Sequence, residues 1–437
     1  MPKFIYNSTY MRRFIQALFL LIFLILLNFS SFCADVSKSY FEVSKAFDIF
    51  IQKNEGETAF RSLLIPAGGR FEGLASAFTA LSNDSSFFEA NPAGSAIIKN
   101  TEISILHNNW IADSKLETFA YSQRTDNFGW GTALRCFYIP FTEYGFLGEK
   151  KASGFYSETF LIGNFSYNFL STYDFKGLTI GANLKTGITA MPPFSGQDNV
   201  ADKKSVQRKN AANQNAYAVL GDLGLILRAN VLKGFYDDEP NFYFGLAFKN
   251  FGTPIRGDIP PAYISMGFAY KPFSIFLFSV DVNQTINLKN IKASGFPLFS
   301  TGFMLSITKY FNFLSGFAIK SGNPRITFGG EVNLPNIQIC ANYTLDLASQ
   351  ITNINRISIG AKFLLGDRGR AEKAQNIKKL YFEGLKEFNA GKYREAVNIW
   401  NDLLKEDKTF IPAKEAIKIA EKQEQMRTEL RKMLLLE

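Results

Sequence analysis

The chain has 437 residues, 15% of them aromatic, with 33 glycines, three cysteines and a single histidine. So few cysteines and histidines exclude a disulfide framework and a zinc site at ordinary ligand spacing. The net charge of +9 sits mainly in loops and in the C-terminal tail, outside any recognisable nucleic-acid module, which argues against a nucleic-acid partner.

The first residues carry Lys3, Arg12 and Arg13 ahead of an apolar run from Phe14 to Leu27, followed by small and polar residues to Ala34. That order of charged, apolar and cleavage regions predicts a signal peptide over 1–34, removed after Cys33 or Ala34. An uncleaved anchor helix from Phe14 to Phe32 is the alternative, and both export the chain. Residues 35–65 form a weakly amphipathic periplasmic segment. Its Val43, Phe47, Phe50 and Ile51 recur at helical spacing and offer one docking surface for the tail.

Residues 66–98 read as a small-residue plug. Gly68, Gly69 and Gly73 permit tight bends, and Asp84 caps or turns locally. Asn91, Pro92, Ala93 and Gly94 form a stiff turn, and a short helix is expected over 74–81, slender enough to enter a narrow lumen. From 99 to 366 the pattern alternates. In Phe299–Lys309, Phe299, Phe303, Leu305 and Ile307 share one face, with Ser300, Gly302, Met304 and Ser306 on the other. Phe242–Phe251 and Gly177–Gly187 repeat this. Counting such stretches predicts fourteen strands, among them 127–138 and 157–169, an even number suited to an antiparallel transmembrane barrel. A soluble sandwich with its bulky face turned to a second sheet is the competing fold.

Long connections at 139–156, 191–214 and 284–298 alternate with tight ones such as Thr125–Asp126, Pro272, Tyr310 and Pro335, which places both termini in the periplasm. Lys185, Asp222, Arg228, Lys249, Asp281, Arg356 and Lys362 fall on the lumen face. Of these, Lys185, Arg228, Lys249, Arg356 and Lys362 are candidates to hold an acidic ligand by charge-assisted hydrogen bonds, unless they serve internal ion pairs. His107 lies on the first strand without companion ligands, and no nucleophile elbow, P-loop or dinucleotide fingerprint appears, so neither an enzyme nor a cofactor is expected.

After Gly366-Asp367-Arg368-Gly369-Arg370 the period becomes helical. In the tail, 371–437, the stretch Tyr381–Leu404 resembles one tetratricopeptide unit, with Gly384, Phe388, Gly391, Tyr393, Ala396 and Trp400 at its small and aromatic positions. Lys408 stands where that motif has its late proline, and Pro412 comes after it. One such unit cannot bury its own face, so it must dock on the barrel, pack against residues 413–437 or meet a periplasmic protein, with Tyr393 and Trp400 as the candidates for partner contact.

The stretch Pro66–Ala96, with Gly68-Gly69, Ala77–Leu81, Asp84 and Asn91-Pro92-Ala93-Gly94, resembles the N-terminal hatch of the FadL and PorV superfamily of outer-membrane barrels. The run Gly245-Leu246-Ala247-Phe248-Lys249-Asn250-Phe251-Gly252, then Pro260 and Met266–Tyr270, is similar to a strand pair of PorV-like chains. Arg356–Phe363 ends like the terminal strand that barrel-assembly machinery reads. The resemblance implies an outer-membrane location and a hatch of Gly68, Gly69, Asp84, Asn91, Pro92, Ala93 and Gly94 that regulates passage. It implies import of hydrophobic molecules such as long-chain fatty acids or other lipids. The alternative it implies is a PorV-like scaffold for secreted or periplasmic proteins.

Overall fold

The computed structural model describes residues 59–434 apart from 112, 146, 172–174, 191–214, 236–238, 253–259, 288–294 and 348–355. The signal-peptide stretch 1–34, the helical-spacing residues of 35–58, and Asp237 and Asp238 therefore lie outside the described residues.

Fourteen strands form one closed ring: β1 (Glu102–Asn109), β2 (Lys115–Thr125), β3 (Phe128–Tyr144), β4 (Lys150–Phe169), β5 (Phe175–Ala190), β6 (Ala216–Ala229), β7 (Phe242–Gly252), β8 (Tyr263–Phe273), β9 (Phe276–Thr285), β10 (Pro297–Thr308), β11 (Phe311–Lys320), β12 (Asn323–Asn333), β13 (Ile337–Asp346) and β14 (Arg356–Leu364). Every neighbour in sequence is its antiparallel neighbour in space, and β14 closes on β1 with Lys362 opposite Ser104. Closure leaves no sheet edge and rules out the two-sheet sandwich.

The period-two pattern decides which face is which. Phe165, Leu184 and Phe303 point outward and are exposed, whereas Ser300, Thr179 and Asn183 point inward and are buried. A soluble fold puts these classes the other way round. Here the apolar girdle faces outward, and the small and polar residues face a lumen that is filled. Among the described residues no helix is long and apolar enough to cross a bilayer, so a membrane crossing falls to the strands.

β3 and β4 run well past the expected ends at 138 and 157, and pair as far as Tyr144 opposite Lys150. The connection expected over 139–156 shrinks accordingly, because Phe141, Tyr144 and Phe155 carry strand propensity beyond the barrel rim. Pro272 lies inside β8, and the turn comes after Phe273. The alternation of long and short connections also has exceptions. The β6–β7 connection is long at the end where others are tight, and β11 meets β12 through Ser321-Gly322 at the opposite end. The end carrying the start of β1, the end of β14 and the tail is called the tail end below; the other is the far end.

The segment 66–98 occupies the lumen, but not as drawn from sequence. The helix is α1 (Gly69–Gly73), one turn upstream of the expected 74–81. Gly69 has φ +63, and Ala75 and Ser76 also take positive φ, which breaks any helix over 74–81. The amides of Phe78 and Thr79 instead donate to the Asp281 carboxylate on β9, at 3.0 and 2.8 Å. Residues 59–65, expected outside the barrel, also lie inside it toward the far end, with Phe60 edge-on to Phe160 of β4 at 4.9 Å. The last residues of the segment offered as a tail dock are thus held in the lumen instead.

Three pairs of glycines facing each other across neighbouring strands make room for this plug: Gly181 and Gly224, Gly245 and Gly267, Gly302 and Gly316. A Cβ on Gly181 would stand 2.7 Å from Ala93 Cα, one on Gly245 2.7 Å from Ala80 Cα, and one on Gly316 2.6 Å from the Leu74 carbonyl carbon. Backbone-to-wall approach this close is available to glycine alone.

The tail is three helices, α2 (Arg370–Asn389), α3 (Tyr393–Glu406) and α4 (Ile411–Leu434). Its core is Trp400, 1% exposed, between Tyr381 and Phe388, and its Nε1 donates to the Tyr381 carbonyl at 3.2 Å. A Cβ on Gly384 would enter the Trp400 ring, which explains the small residue there. Ala413 and Ala420 of α4 complete this core, so the unit covers its own face with its third helix. Trp400 is therefore buried rather than available to a partner, and Tyr393 is half-buried against Phe388. Trp400→Ala is expected to cost the tail about 3–5 kcal/mol. Rapid proteolysis after residue 366 with an intact, heat-resistant barrel band would show this; a tail as protease-resistant as wild type would refute it.

Candidate functional site

The hatch is fastened to the wall by polar side chains from across the chain. Asn91 opens the 3₁₀ turn Pro92–Ala96, its Oδ1 accepting from the Ala93 amide at 3.1 Å. Its Nδ2 donates to the carbonyls of Thr79 and Leu225, both at 3.0 Å, and of Leu246 at 3.3 Å. One side chain thus ties two hatch turns to β6 and β7. Pro92 pre-sets the turn, and its carbonyl accepts from Asn164 at 2.8 Å. Gly94 is enclosed, since a Cβ would collide with the Phe87 side chain and the Ser82 carbonyl. Gly68, at φ +129, lies against Ser358, and the Gly69 carbonyl accepts from Asn342 at 2.9 Å.

Asp84 caps the 3₁₀ turn Ser85–Phe88 through Ser86 at 2.8 Å and pairs with Lys362 of β14. Arg70 of α1 forms a two-pronged bond to Glu331 of β12 at 2.6 and 2.7 Å, with Asn312 completing that carboxylate at 2.7 Å. Buried charges this well partnered specify where the hatch sits more than they raise stability.

Above the hatch, toward the far end, lies a cavity of 570 Å³. Its apolar wall comes from Phe60, Leu63 and Ile65 of the lumen strap, Phe71 of the hatch, and Trp110, Phe137 and Ile139 of the barrel. The strap 59–65 is itself held by two barrel groups. Arg135 donates to the Ser62 carbonyl at 2.6 Å and to the Ile65 carbonyl, while Glu158 accepts from the Ser62 amide at 3.3 Å. Arg135 also pairs with Glu89 at 2.8 Å.

The five lumen cations expected as ligand contacts do not form one site. Lys185 is locked to Asp222 at 2.8 Å and to Asn250 at 2.7 Å, and Lys362 to Asp84. Arg228 lies at the tail end, bonded to the Lys176 carbonyl at 2.8 Å. Arg356 stacks on Trp110 at 4.0 Å, at the cavity edge. Lys249 is buried, makes no hydrogen bond among the described residues, and stands 5.0 Å over the ring of Tyr263, which lines the cavity. Only Lys249 and Arg356 thus neighbour the cavity. Arg70, Glu72, Arg135, Glu158 and Glu331 were missed as lumen groups, because hatch and strand partners far apart in the chain, from Arg135 and Ser62 at 73 positions to Glu72 and Thr344 at 272, leave no local signal. His107 faces outward and meets Glu117 of β2 at 2.8 Å. Cys136 and Cys340 are free thiols.

Among solved structures, the CymD monoaromatic hydrocarbon channel is similar at 13% identity and TM-score 0.44, over 70% of this chain and 99% of that one. The Pseudomonas putida toluene transporter TodX is similar at 13% identity and TM-score 0.40, over 66% and 95%. Two UPF0164 proteins of Treponema pallidum (strain Nichols) are nearer in sequence. One is 33% identical over 387 residues, covering 84% of each chain, and the other 29% identical over 392 residues, covering 83% of this chain and 76% of the relative. The model of the Uncharacterised protein family (UPF0164) matches residues 30–368, and the chain belongs to that family.

Proposed function

We propose that this chain is an outer-membrane channel that takes hydrophobic small molecules into the cavity above its hatch. The observation that carries this reading is the 570 Å³ cavity itself, set inside a closed barrel, floored by a seated plug and walled in part by apolar side chains. Its size suits a small organic ligand, and the polar and charged groups that share its lining, among them Arg61, Glu89, Glu158, Lys320 and Arg325, offer contacts for a polar end of such a ligand. The signal-peptide reading of 1–34 supports export, and the folded tail favours a periplasmic tail end. On this reading the far end faces outside, and the hatch residues Gly68, Gly69, Asp84 and Asn91–Gly94 form the gate.

The finer reading is a fatty acid whose carboxylate meets Lys249. Its ammonium lies over the Tyr263 ring and, although Asp222, Glu89 and Asp281 act on it from further off, donates no hydrogen bond to them and so has capacity for an anion. Leu63→Trp is expected to fill the cavity and weaken binding of a fluorescent fatty acid by tenfold or more. Lys249→Met should weaken the fatty acid about tenfold and leave the matching alcohol unchanged. Titration of purified barrel in detergent reads both. Equal affinities in wild type and Leu63→Trp would remove the cavity as the site.

A second reading, a scaffold for periplasmic proteins, draws on the way the tail is joined to the barrel. Arg368 donates to Gln123 of β2 at 2.7 Å, and Arg370 reaches the carbonyls of Ile98 and Lys99 where the hatch leaves the lumen. Deleting 371–437 separates the two: uptake survives if the channel reading holds, and partner capture is lost if the scaffold reading does.

A further inference from the structure

Three guanidinium groups meet at the tail-end mouth of the lumen. Arg124 of β2 and Arg228 of β6 share the lumen-facing register of the buried Ser122 and Ile226, and Arg370 opens α2. Ile226 packs on Ala93 and Ile97, so Arg228, two residues further along the same face, flanks the last hatch turn. Arg370 donates to the carbonyls of Ile98 and Lys99, just past that turn. Arg124 feels the charges of both Arg370 and Arg228, and the exposed Asp126 carboxylate acts on Arg124 and Arg370 without bonding to either.

Each of the three is satisfied by carbonyls rather than by acids. Arg124 donates to the Asp126 carbonyl at 2.7 Å, Arg228 to the Lys176 carbonyl at 2.8 Å, and Arg370 to the Asp367 carbonyl at 2.8 Å. No carboxylate forms an ion pair with any of them among the described residues. The Asp367 carboxylate is already engaged, accepting from the Gly369 amide at 3.1 Å and from the Ala371 amide at the start of α2. The Nε of Arg228 is buried without a partner. Three guanidinium groups in excess over the acids beside them, Asp126 and Asp367, with a buried donor to spare, match the planar oxygen pairs of phosphate and carboxylate.

We propose that this mouth is an oxyanion site, built jointly by the barrel wall and the root of the tail, that takes a phosphate or carboxylate group. The site is incomplete without Arg370, which gives the tail a role in the lumen whatever molecule fills the far cavity.

The test uses the full chain in phosphatidylcholine nanodiscs, titrated with inorganic phosphate against chloride at matched ionic strength, with thermal unfolding as the readout. Phosphate should raise the transition by several degrees, and Arg228→Gln and Arg370→Gln should each remove most of that shift. A second arm replaces the lipid by phosphatidylglycerol without phosphate. An equal rise there, lost in Arg228→Gln, supports the site and assigns the anion to a lipid headgroup; a rise with phosphate alone assigns it to a soluble or lumenal ligand. No rise in either arm, or a rise that survives both substitutions, overturns the proposal.

Discussion

Gly245→Val combined with Gly267→Val is expected to prevent the hatch from seating. The two glycines face each other on β7 and β8; Gly245 lies against the backbone of Thr79 and Ala80, and Gly267 against the Asp281 carboxylate, the Ala80 amide nitrogen and the Thr79 side chain. An added Cβ would sit 2.7 Å from Ala80 Cα in one case and 2.9 Å from the Ala80 amide nitrogen in the other. The hatch cannot retreat, because Asp281 holds the Phe78 and Thr79 amides and Asn91 holds the Thr79 carbonyl. Overpacking of this kind costs at least about 3 kcal/mol for the pair. In outer-membrane preparations the variant should expose residues 66–98 to protease and lose heat-modifiable migration. Gly163→Val is the control: that glycine sits on β4 with nothing near its missing Cβ, and its substitution should leave both properties unchanged. A double variant with wild-type protease resistance would mean that the hatch does not lie against this wall.

The second large effect is expected at Lys362. Its ammonium and the Asp84 carboxylate are both almost fully buried, and Arg70 approaches the same carboxylate at 3.9 Å. Lys362→Met strips Asp84 of its closest counter-charge in the lumen, where water cannot replace it. Removing one partner of a buried pair costs about 3–5 kcal/mol. Asp84→Asn in the same chain should recover part of that loss, so that the double variant is more stable than the sum of the singles by about 1 kcal/mol or more. Urea unfolding of the barrel in lipid vesicles reads the cycle. Strict additivity would show that the two groups do not interact in the folded protein.

The barrel was legible because its constraint is local and periodic. Phe242, Phe244 and Leu246 against Tyr243, Gly245 and Ala247 declare a two-faced strand without knowledge of any neighbour. The strand ends at Tyr144 and Lys150 were not legible, since nothing in a single strand says how far its partner will follow. The NPAG turn was readable as a turn, but not the reach of Asn91 to Leu225 and Leu246. That reach depends on which strands the closed ring sets beside the hatch. Arg70 and Glu331 are 261 positions apart, and Asp84 and Lys362 are 278 apart. Ion pairs at such separations exist only once closure has fixed the lumen. The glycines showed in composition, yet their meaning depended on a plug whose backbone had first to be placed. Trp400 illustrates the reverse: its aromatic character was plain, but α4 supplies the missing neighbour and turns an expected contact residue into core.

The most direct measurement of the account is labelling of single cysteines on adjacent β5 positions, in a chain with Cys33, Cys136 and Cys340 replaced by serine. Leu184→Cys points to the outer face, where Leu184 is 61% exposed, and Asn183→Cys points to the plugged lumen, where Asn183 is 4% exposed. In outer-membrane vesicles, a membrane barrel with a seated hatch predicts that Leu184→Cys reacts with a lipid-soluble maleimide and not with a water-soluble one. Asn183→Cys should react with neither. Rapid reaction of Leu184→Cys with the water-soluble reagent would contradict the membrane barrel.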